Sequence, residues 1–293
     1  MATTSRRSRH QVRSIWHAPA SRARWYWLIG SIMLSGGILA WYLYTLRISQ
    51  FPGPFDDPLR LFGIAAFIMV LVTAGYSLRR RFTRGLPGKV QGWLWMHTWL
   101  GGAALLVALL HENFIRITHD YCRNLSCLTS AYAATSALLA LVLLVVSGVI
   151  GRLLDIWQAR IIARDAASNG VGIVRALEER ILELEYTIER LCAGKSEQFK
   201  RYCLRAIDDG VRFVPEHETG GIAEEHADFL RANEALGQRA QLVRSVQRQL
   251  AARALMRTWR VIHMTLASLA LLVITYHAVM ELLTNVFHLV QPV

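Results

Sequence analysis

Charged side chains are missing from five long stretches of this 293-residue sequence. No Asp, Glu, Lys or Arg occurs in 25–46, 61–78, 90–111, 128–151 or 261–280. A helix needs roughly 20 apolar residues to cross the hydrocarbon core of a bilayer, whereas a soluble helix of that length shows a polar face. The sequence therefore predicts an all-α integral membrane protein, a helical bundle with five transmembrane helices.

Other common signals are missing as well. No Gly-rich dinucleotide fingerprint occurs, so the chain is not expected to take hydride from a nicotinamide by itself. The sequence has no internal repeats and no low-complexity tracts. A secretory signal peptide is not expected, because the first apolar stretch is too long and no clear small-residue cleavage site follows it.

The basic residues are unevenly distributed, although the net charge is +12. They concentrate in 6–24 and 79–89, whereas the loops 47–60 and 112–127 contain few. An excess of Lys and Arg marks the cytoplasmic side of a membrane protein. We therefore expect a cytoplasmic N-terminus and an external C-terminus in a bacterial inner (plasma) membrane. Because membrane flanks explain the charge, nucleic acid is not an expected partner.

The segment between the fourth and fifth stretches has the composition of a soluble helical insert. Apolar residues recur at spacings of three and four over 174–191, and a return helix is predicted from about 222 through 250 into the fifth span. These two helices predict a cytoplasmic helical hairpin. The predicted regions are a basic cytoplasmic tail at 1–24, transmembrane helices 1 to 4 at 25–151, the cytoplasmic helical insert at 152–257, and the fifth span with an external C-terminus at 258–293.

Four histidines occupy the third and fifth spans. His97 and His111 lie on the third span, and His263 and His277 lie on the fifth. Each pair is 14 residues apart, so both members share one helix face and lie about 21 Å apart along the axis. The two spans run in the same direction, so His97 should face His263 near the inner surface and His111 should face His277 near the outer one. Such facing imidazoles are what two six-coordinate b haems require, each iron taking one neutral nitrogen from each helix.

The surroundings of the histidines fit this interpretation. Small residues follow His97 and His263 by about one turn and would let a flat macrocycle approach the backbone. Haem propionates also need cations at the membrane surface, and Arg116 is the outer candidate. The inner candidates are Arg79, Arg80, Arg81, Arg84, Lys89, Arg257 and Arg260.

Two alternatives compete for the histidines. A buried histidine in a span can simply make a helix contact or line a cavity, although ionisable groups there are usually functional. Zinc suits the pattern less well, because neither helix brings a third ligand to each level.

The two histidine pairs resemble those of the ferric reductase and NADPH oxidase transmembrane domain. The spacing is also similar to that of cytochrome b in the quinol-oxidising complexes, whose helix order differs. The resemblance implies that His97 and His263 bind the inner haem and His111 and His277 the outer one. It covers the membrane part only, and five spans replace the six typical of the reductases.

The resemblance implies electron transfer across the bilayer. Without a flavin or nicotinamide domain, the chain is expected to be one subunit of a larger redox complex. Its expected partners are membrane lipid and redox subunits on the cytoplasmic and external sides, with a quinone as a further candidate. The competing function is that of a membrane signalling or scaffold protein, or a haem sensor, that acts through its cytoplasmic hairpin.

A few polar residues outside the histidine pairs are candidates for minor roles. Cys122 and Cys127 could form a disulfide in the external loop, whereas the insert cysteines Cys192 and Cys203 are expected to be reduced thiols. A solvated loop is the expected setting of His119 and Asp120. Glu112 and Glu281 are either proton carriers at a quinone pocket or ordinary surface positions.

Overall fold

All regular secondary structure in the described part of the chain is helical. The structure is a computed structural model that describes residues 22–48, 56–82, 85, 87–114, 130–170, 173–215 and 225–289. The helices are α1 Arg22–Ile48, α2 Leu59–Arg81, α3 Val90–His111, α4 Ser130–Asn169, α5 Val174–Cys192, α6 Glu197–Asp209 and α7 His226–Glu281. A 3₁₀ turn, Gly210–Arg212, follows α6, and a π-helical turn, Leu282–Val286, follows α7.

Five helical segments within these ranges are long and apolar enough to cross a membrane. They are α1, α2, α3 and the segments that contain α4 and α7. An α-helix satisfies its own backbone hydrogen bonds, which is why apolar stretches of this length adopt it. The prediction of an all-helical fold with five span-length helices is thereby confirmed.

The chain folds as two compact units. Within the described residues, we call 22–152 and 259–289 the span unit, and 153–258 the insert unit. The buried core of the span unit takes side chains from all five of its helices. Examples, one from each helix in chain order, are Tyr42, Phe62, Val107, Leu141 and Ile274.

The insert unit has an apolar core of its own. The apolar stripe over 174–191 is buried there, with Leu177 and Ile188 at 0% and 1% exposure. They pack in one cluster with Phe199 of α6 and Phe229 of α7. Helices with one apolar face become stable by burying that face against one another.

The insert contains more helices than the predicted hairpin. Helix α4 ends at Asn169 and is followed by Gly170 at φ 74°, a left-handed conformation that glycine adopts without strain. Helix α6, which the sequence interpretation did not separate, begins after Ser196, whose hydroxyl accepts a hydrogen bond from Phe199 N at 3.4 Å. The return helix begins at His226.

Candidate metal and cofactor site

The two histidines of α3 are both held by backbone carbonyls of α2. His97 Nδ1 lies 3.0 Å from the Thr73 carbonyl oxygen, and His111 Nδ1 lies 2.7 Å from that of Leu59. The ring of Tyr76 also lies 5.3 Å from the ring of His97. Helix α2 therefore fixes the orientation of both imidazoles.

His263 of α7 is held by a hydroxyl of α4. Its Nδ1 lies 2.7 Å from Ser147 Oγ, which itself donates to the Leu144 carbonyl oxygen at 2.8 Å. Trp259 Nε1 donates to the Ser147 carbonyl oxygen at 3.1 Å, so the same stretch of α4 is bound twice.

These contacts determine which ring nitrogen carries the proton. A carbonyl oxygen can only accept, so Nδ1 of His97 and of His111 must donate. The single hydroxyl proton of Ser147 can go to the Leu144 carbonyl oxygen, and Nδ1 of His263 then donates to Ser147 Oγ. In a neutral imidazole the other nitrogen, Nε2, then has a free lone pair. Three of the four histidines are therefore oriented as metal-ligating histidines usually are.

The structure brings the histidines together in the predicted pairs. Ligand atoms of His111, Glu112 and His277 all lie within 4.8 Å of one another. His97 lies close enough to His263 for the two imidazoles to interact electrostatically. We call these pairs the His111 level and the His97 level.

Glu112 belongs to the His111 level, which the sequence did not indicate. Its side chain is 6% exposed, so the interpretation of Glu112 as an ordinary surface position is wrong. One carboxylate oxygen lies 3.9 Å from His111 Nε2. The expectation that neither helix brings a third ligand to a level is also wrong here, because Glu112 lies beside the two imidazoles.

A second carboxylate approaches this level from α7. Glu281 Oε1 lies 3.9 Å from His277 Nδ1, and Asn285 donates to the other carboxylate oxygen at 2.5 Å. The His111 level therefore has two carboxyl groups beside its two imidazoles.

A cleft with about 1050 Å³ of empty space, including its open mouth, contains His111 and His277. Much of its wall consists of small residues, which let a flat ligand approach the helix backbones. These residues are Gly63, Ala66, Ala108, Ala134, Ala137 and Ala278.

Two glycines contact the histidine rings most closely. A Cβ atom at Gly63 of α2 would lie 2.7–2.9 Å from three atoms of the His111 ring, so only glycine fits there. A Cβ atom at Gly148 of α4 would lie 3.6 Å from the His263 ring, an ordinary contact. The sequence analysis missed both. A glycine inside an apolar helix can indicate a close contact with another side chain. Gly101 and Gly102 also lie inside an apolar helix, however, and neither lies against a histidine ring.

Of the seven arginines named as candidates for the haem propionates, three have no described side chain. Arg260 lies exposed on α7, whereas Arg84 and Arg116 lie outside the described residues. Arg81 ends α2, and its side chain is likewise not described. The loop residues His119, Asp120, Cys122 and Cys127 lie outside the described residues as well.

Arg79 is the buried cation at the α2–α3 connection. Its side chain is 7% exposed, lies 5.2 Å above the Trp93 ring and donates through Nη2 to the Gly88 carbonyl oxygen. Its Nη1 is buried and has no hydrogen-bond partner among the described residues. Arg24 and Arg152 lie 5.2 and 5.1 Å from the Trp95 ring. Cations therefore gather beyond the N-terminal end of α3, on the side of His97.

Comparison of the chain with protein-family models, with curated proteins and with solved structures finds no match in any of the three.

Proposed function

We propose that this chain is an integral membrane b-type cytochrome that binds two haems and transfers electrons across the bilayer. His97 and His263 would be the axial ligands of one haem, and His111 and His277 those of the other. The observation that carries the proposal is the set of hydrogen bonds from Nδ1 of His97, His111 and His263 to neighbouring helices. They leave each Nε2 with the lone pair that iron requires.

The protein's own contribution is to orient the ligands and to shape the cleft. Carbonyl and hydroxyl acceptors on α2 and α4 fix the rings, which raises ligand basicity and holds the tautomer. The small-residue wall of the cleft fits a planar macrocycle better than it fits a lone ion. With both axial positions filled, a bound haem favours electron transfer over oxygen binding.

The charges on the two sides support a transmembrane arrangement. Arg24, Arg79 and Arg152 lie on the side of His97, which we take as cytoplasmic because Lys and Arg prefer that side. The absence of a dinucleotide fingerprint implies that electrons come from a separate redox subunit or from a quinol. We also propose that the chain acts with partner redox subunits, with a quinone as a further candidate partner. Its proposed location is a bacterial inner membrane.

A second candidate function arises from Glu112. Two histidines and one carboxylate are the ligand set of many mononuclear non-haem iron centres, so the His111 level could bind a single metal ion. The proposal of two haems predicts no such ion.

The visible spectrum of the purified full-length chain tests the proposal. We expect b-type absorption on dithionite reduction and two haems per chain in a pyridine haemochrome assay. His97→Ala and His111→Ala should each reduce this to about one. His226→Ala is the matched control, since this histidine is exposed in the insert unit, and it should retain both haems.

Metal analysis separates the two candidates. One haem with one further iron or zinc per chain, the ion being lost in Glu112→Ala, would favour the mononuclear site. Full haem content in all four single histidine variants would refute the ligand assignment. A purified chain with neither haem nor metal would favour a signalling or scaffold function.

A further inference from the structure

Two cysteines meet at the junction of α5 and α6 in the insert unit. Cys192 is the last residue of α5, and Cys203 lies in the second turn of α6. Cys203 belongs to the apolar cluster of the insert unit and Cys192 packs against the same cluster, where the two thiols are close enough to affect each other's ionisation. The sequence interpretation treated them as separate reduced thiols, because their ten-residue separation gives no indication of contact. The fold makes them a pair.

The two thiols differ in access. Cys203 is 2% exposed, whereas Cys192 is half-buried and lies beside the surface turn that connects the helices. Burial, together with the hydrogen bond from its neighbour, raises the pKa of the Cys203 thiol well above its usual range. A thiol that stays protonated and buried is a poor first nucleophile. Cys192 is therefore the residue that an external oxidant reaches.

The connecting turn is short and anchored to the start of α7. It contains Gly194 at φ 73°, a conformation that residues other than glycine rarely adopt. Lys195 Nζ lies 2.5 Å from Asp228, and Ser196 Oγ lies 2.9 Å from Glu225. A small movement of Cys192 toward Cys203 would be taken up in this turn, and it would act on the contacts with α7.

We propose that Cys192 and Cys203 are a dithiol pair that hydroperoxides oxidise to an intramolecular disulfide. The Cys192 thiolate would attack the peroxide: an S–O bond forms, the O–O bond breaks, and water is released after protonation. The Cys203 sulfur would then displace the hydroxyl group of the Cys192 sulfenic acid as a second water molecule, forming the S–S bond. Two thiols and one hydrogen peroxide thus give one disulfide and two waters. The proposal is independent of the haem assignment.

Peptide mapping of the full-length chain tests the proposal directly. The reduced protein in detergent is treated with a slight excess of hydrogen peroxide, blocked with N-ethylmaleimide and digested with trypsin. Cleavage places the cysteines on separate short peptides, 191–195 and 202–205. We expect most chains to give the disulfide-linked pair of these peptides. Diamide, which oxidises dithiols without peroxide, should give the same product.

Dimedone, which traps sulfenic acids, tests the order of events. In Cys203→Ser we expect a dimedone adduct on Cys192, whereas in Cys192→Ser the Cys203 thiol should stay unmodified in the folded protein. The wild-type chain should give little adduct, because the second thiol removes the intermediate. A wild-type chain that accumulates adduct or sulfinic acid on Cys192, with Cys203 still reduced, would overturn the proposal. This readout needs no variant, so it holds even if a cysteine variant does not fold.

Discussion

The span unit and the insert unit use buried polar side chains in opposite ways. In the span unit, His97, His111 and His263 bond to neutral carbonyl or hydroxyl groups of a neighbouring helix and leave a nitrogen free for a ligand. In the insert unit, the buried Asp165 carboxylate is fully used by its own neighbours: Arg248 donates to one oxygen and Gln249 to the other, each at 2.9 Å.

This difference indicates which buried polar groups of the chain serve function and which serve packing. Polar groups in apolar spans are costly and are kept chiefly for function. Polar groups in a soluble helical unit can instead specify how its helices pack. Changes in the insert unit should therefore alter the stability of that unit and leave the proposed haems in place, whereas changes around the histidines should alter haem binding and leave the insert unit stable.

The largest expected effect comes from Asp165→Ala. It leaves the Gln249 amide, 1% exposed, without an acceptor, and Arg248 without its carboxylate. Arg248 is 54% exposed, so we place the loss at about 2–4 kcal/mol, toward the low end for a broken buried pair. Limited proteolysis within 153–258 measures this loss, and haem absorbance should not change.

Asp208→Ala, an exposed position on α6, is the control and should shift stability by less than about 0.5 kcal/mol. Loss of haem together with the insert fold would contradict the separate roles of the buried polar groups in the two units.

The next effect comes from Gly63→Ala. The new methyl group would lie within 2.9 Å of the His111 ring and displace it, at a cost of about 1–3 kcal/mol. We expect weaker retention of the haem at the His111 level, with the other haem unaffected, measured by haem content after gel filtration. In the control, Gly102→Ala, the methyl group meets nothing within 4 Å. Equal haem loss in both variants would show that helix propensity rather than ring position is responsible.

Glu112→Gln should change a reduction potential and leave haem content unchanged. Removing a negative charge near iron disfavours the ferric state, so the potential at the His111 level should rise. Because Glu112 lies 3.9 Å from His111 Nε2, its charge would be about 6 Å from an iron bound there, and with an effective dielectric constant of about 20 it would contribute about 2.8 kcal/mol, or about 120 mV. Spectroelectrochemical titration measures this shift. Loss of a bound ion instead of a shift would favour the mononuclear metal site.

Ser147→Ala tests the support of His263. The variant removes the acceptor of the His263 Nδ1 proton, a hydrogen bond worth about 1 kcal/mol. We expect roughly fivefold weaker haem retention at the His97 level. Ser136→Ala is matched, because Ser136 also donates to the carbonyl three residues earlier on α4 but is exposed. Haem content should stay unchanged in that control, and equal loss in both would contradict the role of Ser147.

The helices could be predicted from the sequence because the signal is local. Charge-free stretches of about 20 residues are long enough to span a bilayer. At 3.6 residues per turn, a spacing of fourteen residues places both histidines of a pair on one helix face. The extra helix α6 was missed because its boundary depends on a capping serine and on a glycine at positive φ. Such signals are weak unless the neighbouring packing is known.

The partners of the histidines could not be predicted, because they come from tertiary packing. The carbonyls that hold His97 and His111 lie 24 and 52 residues away in the sequence, and every residue has a carbonyl. The burial of Glu112 likewise depends on how the end of α3 packs. Histidine identity and spacing are therefore visible in the sequence, whereas orientation is visible only in the fold.

The smallest effect, and the finest test of the comparison, concerns the ion pair between Lys195 and Asp228 in the insert unit. The hydrogen bond and charge of Lys195 lower the pKa of the Asp228 carboxyl, and the same contact raises the pKa of Lys195. A lowered carboxyl pKa gives stability that is present above the unfolded value of about 3.9 and is lost as the pH falls through the folded value. We expect Asp228→Asn to be slightly less stable than the wild type at pH 7, and the difference to shrink as the pH falls below about 4 and to vanish once the pH is below the folded pKa of Asp228.

Salt should also reduce that difference, since both groups are partly exposed. Unfolding curves of the insert unit at several pH values and salt concentrations measure it, with haem absorbance recorded in parallel. Glu197→Gln is the control, because its pair with Lys200 is more exposed and should contribute less. A pH-independent difference would mean that Asp228 acts through packing or helix capping. The Lys195–Asp228 charges would then not contribute to the stability of the insert unit. Asp165 would be the remaining example of a polar group that stabilises this unit, in contrast to the histidines of the span unit.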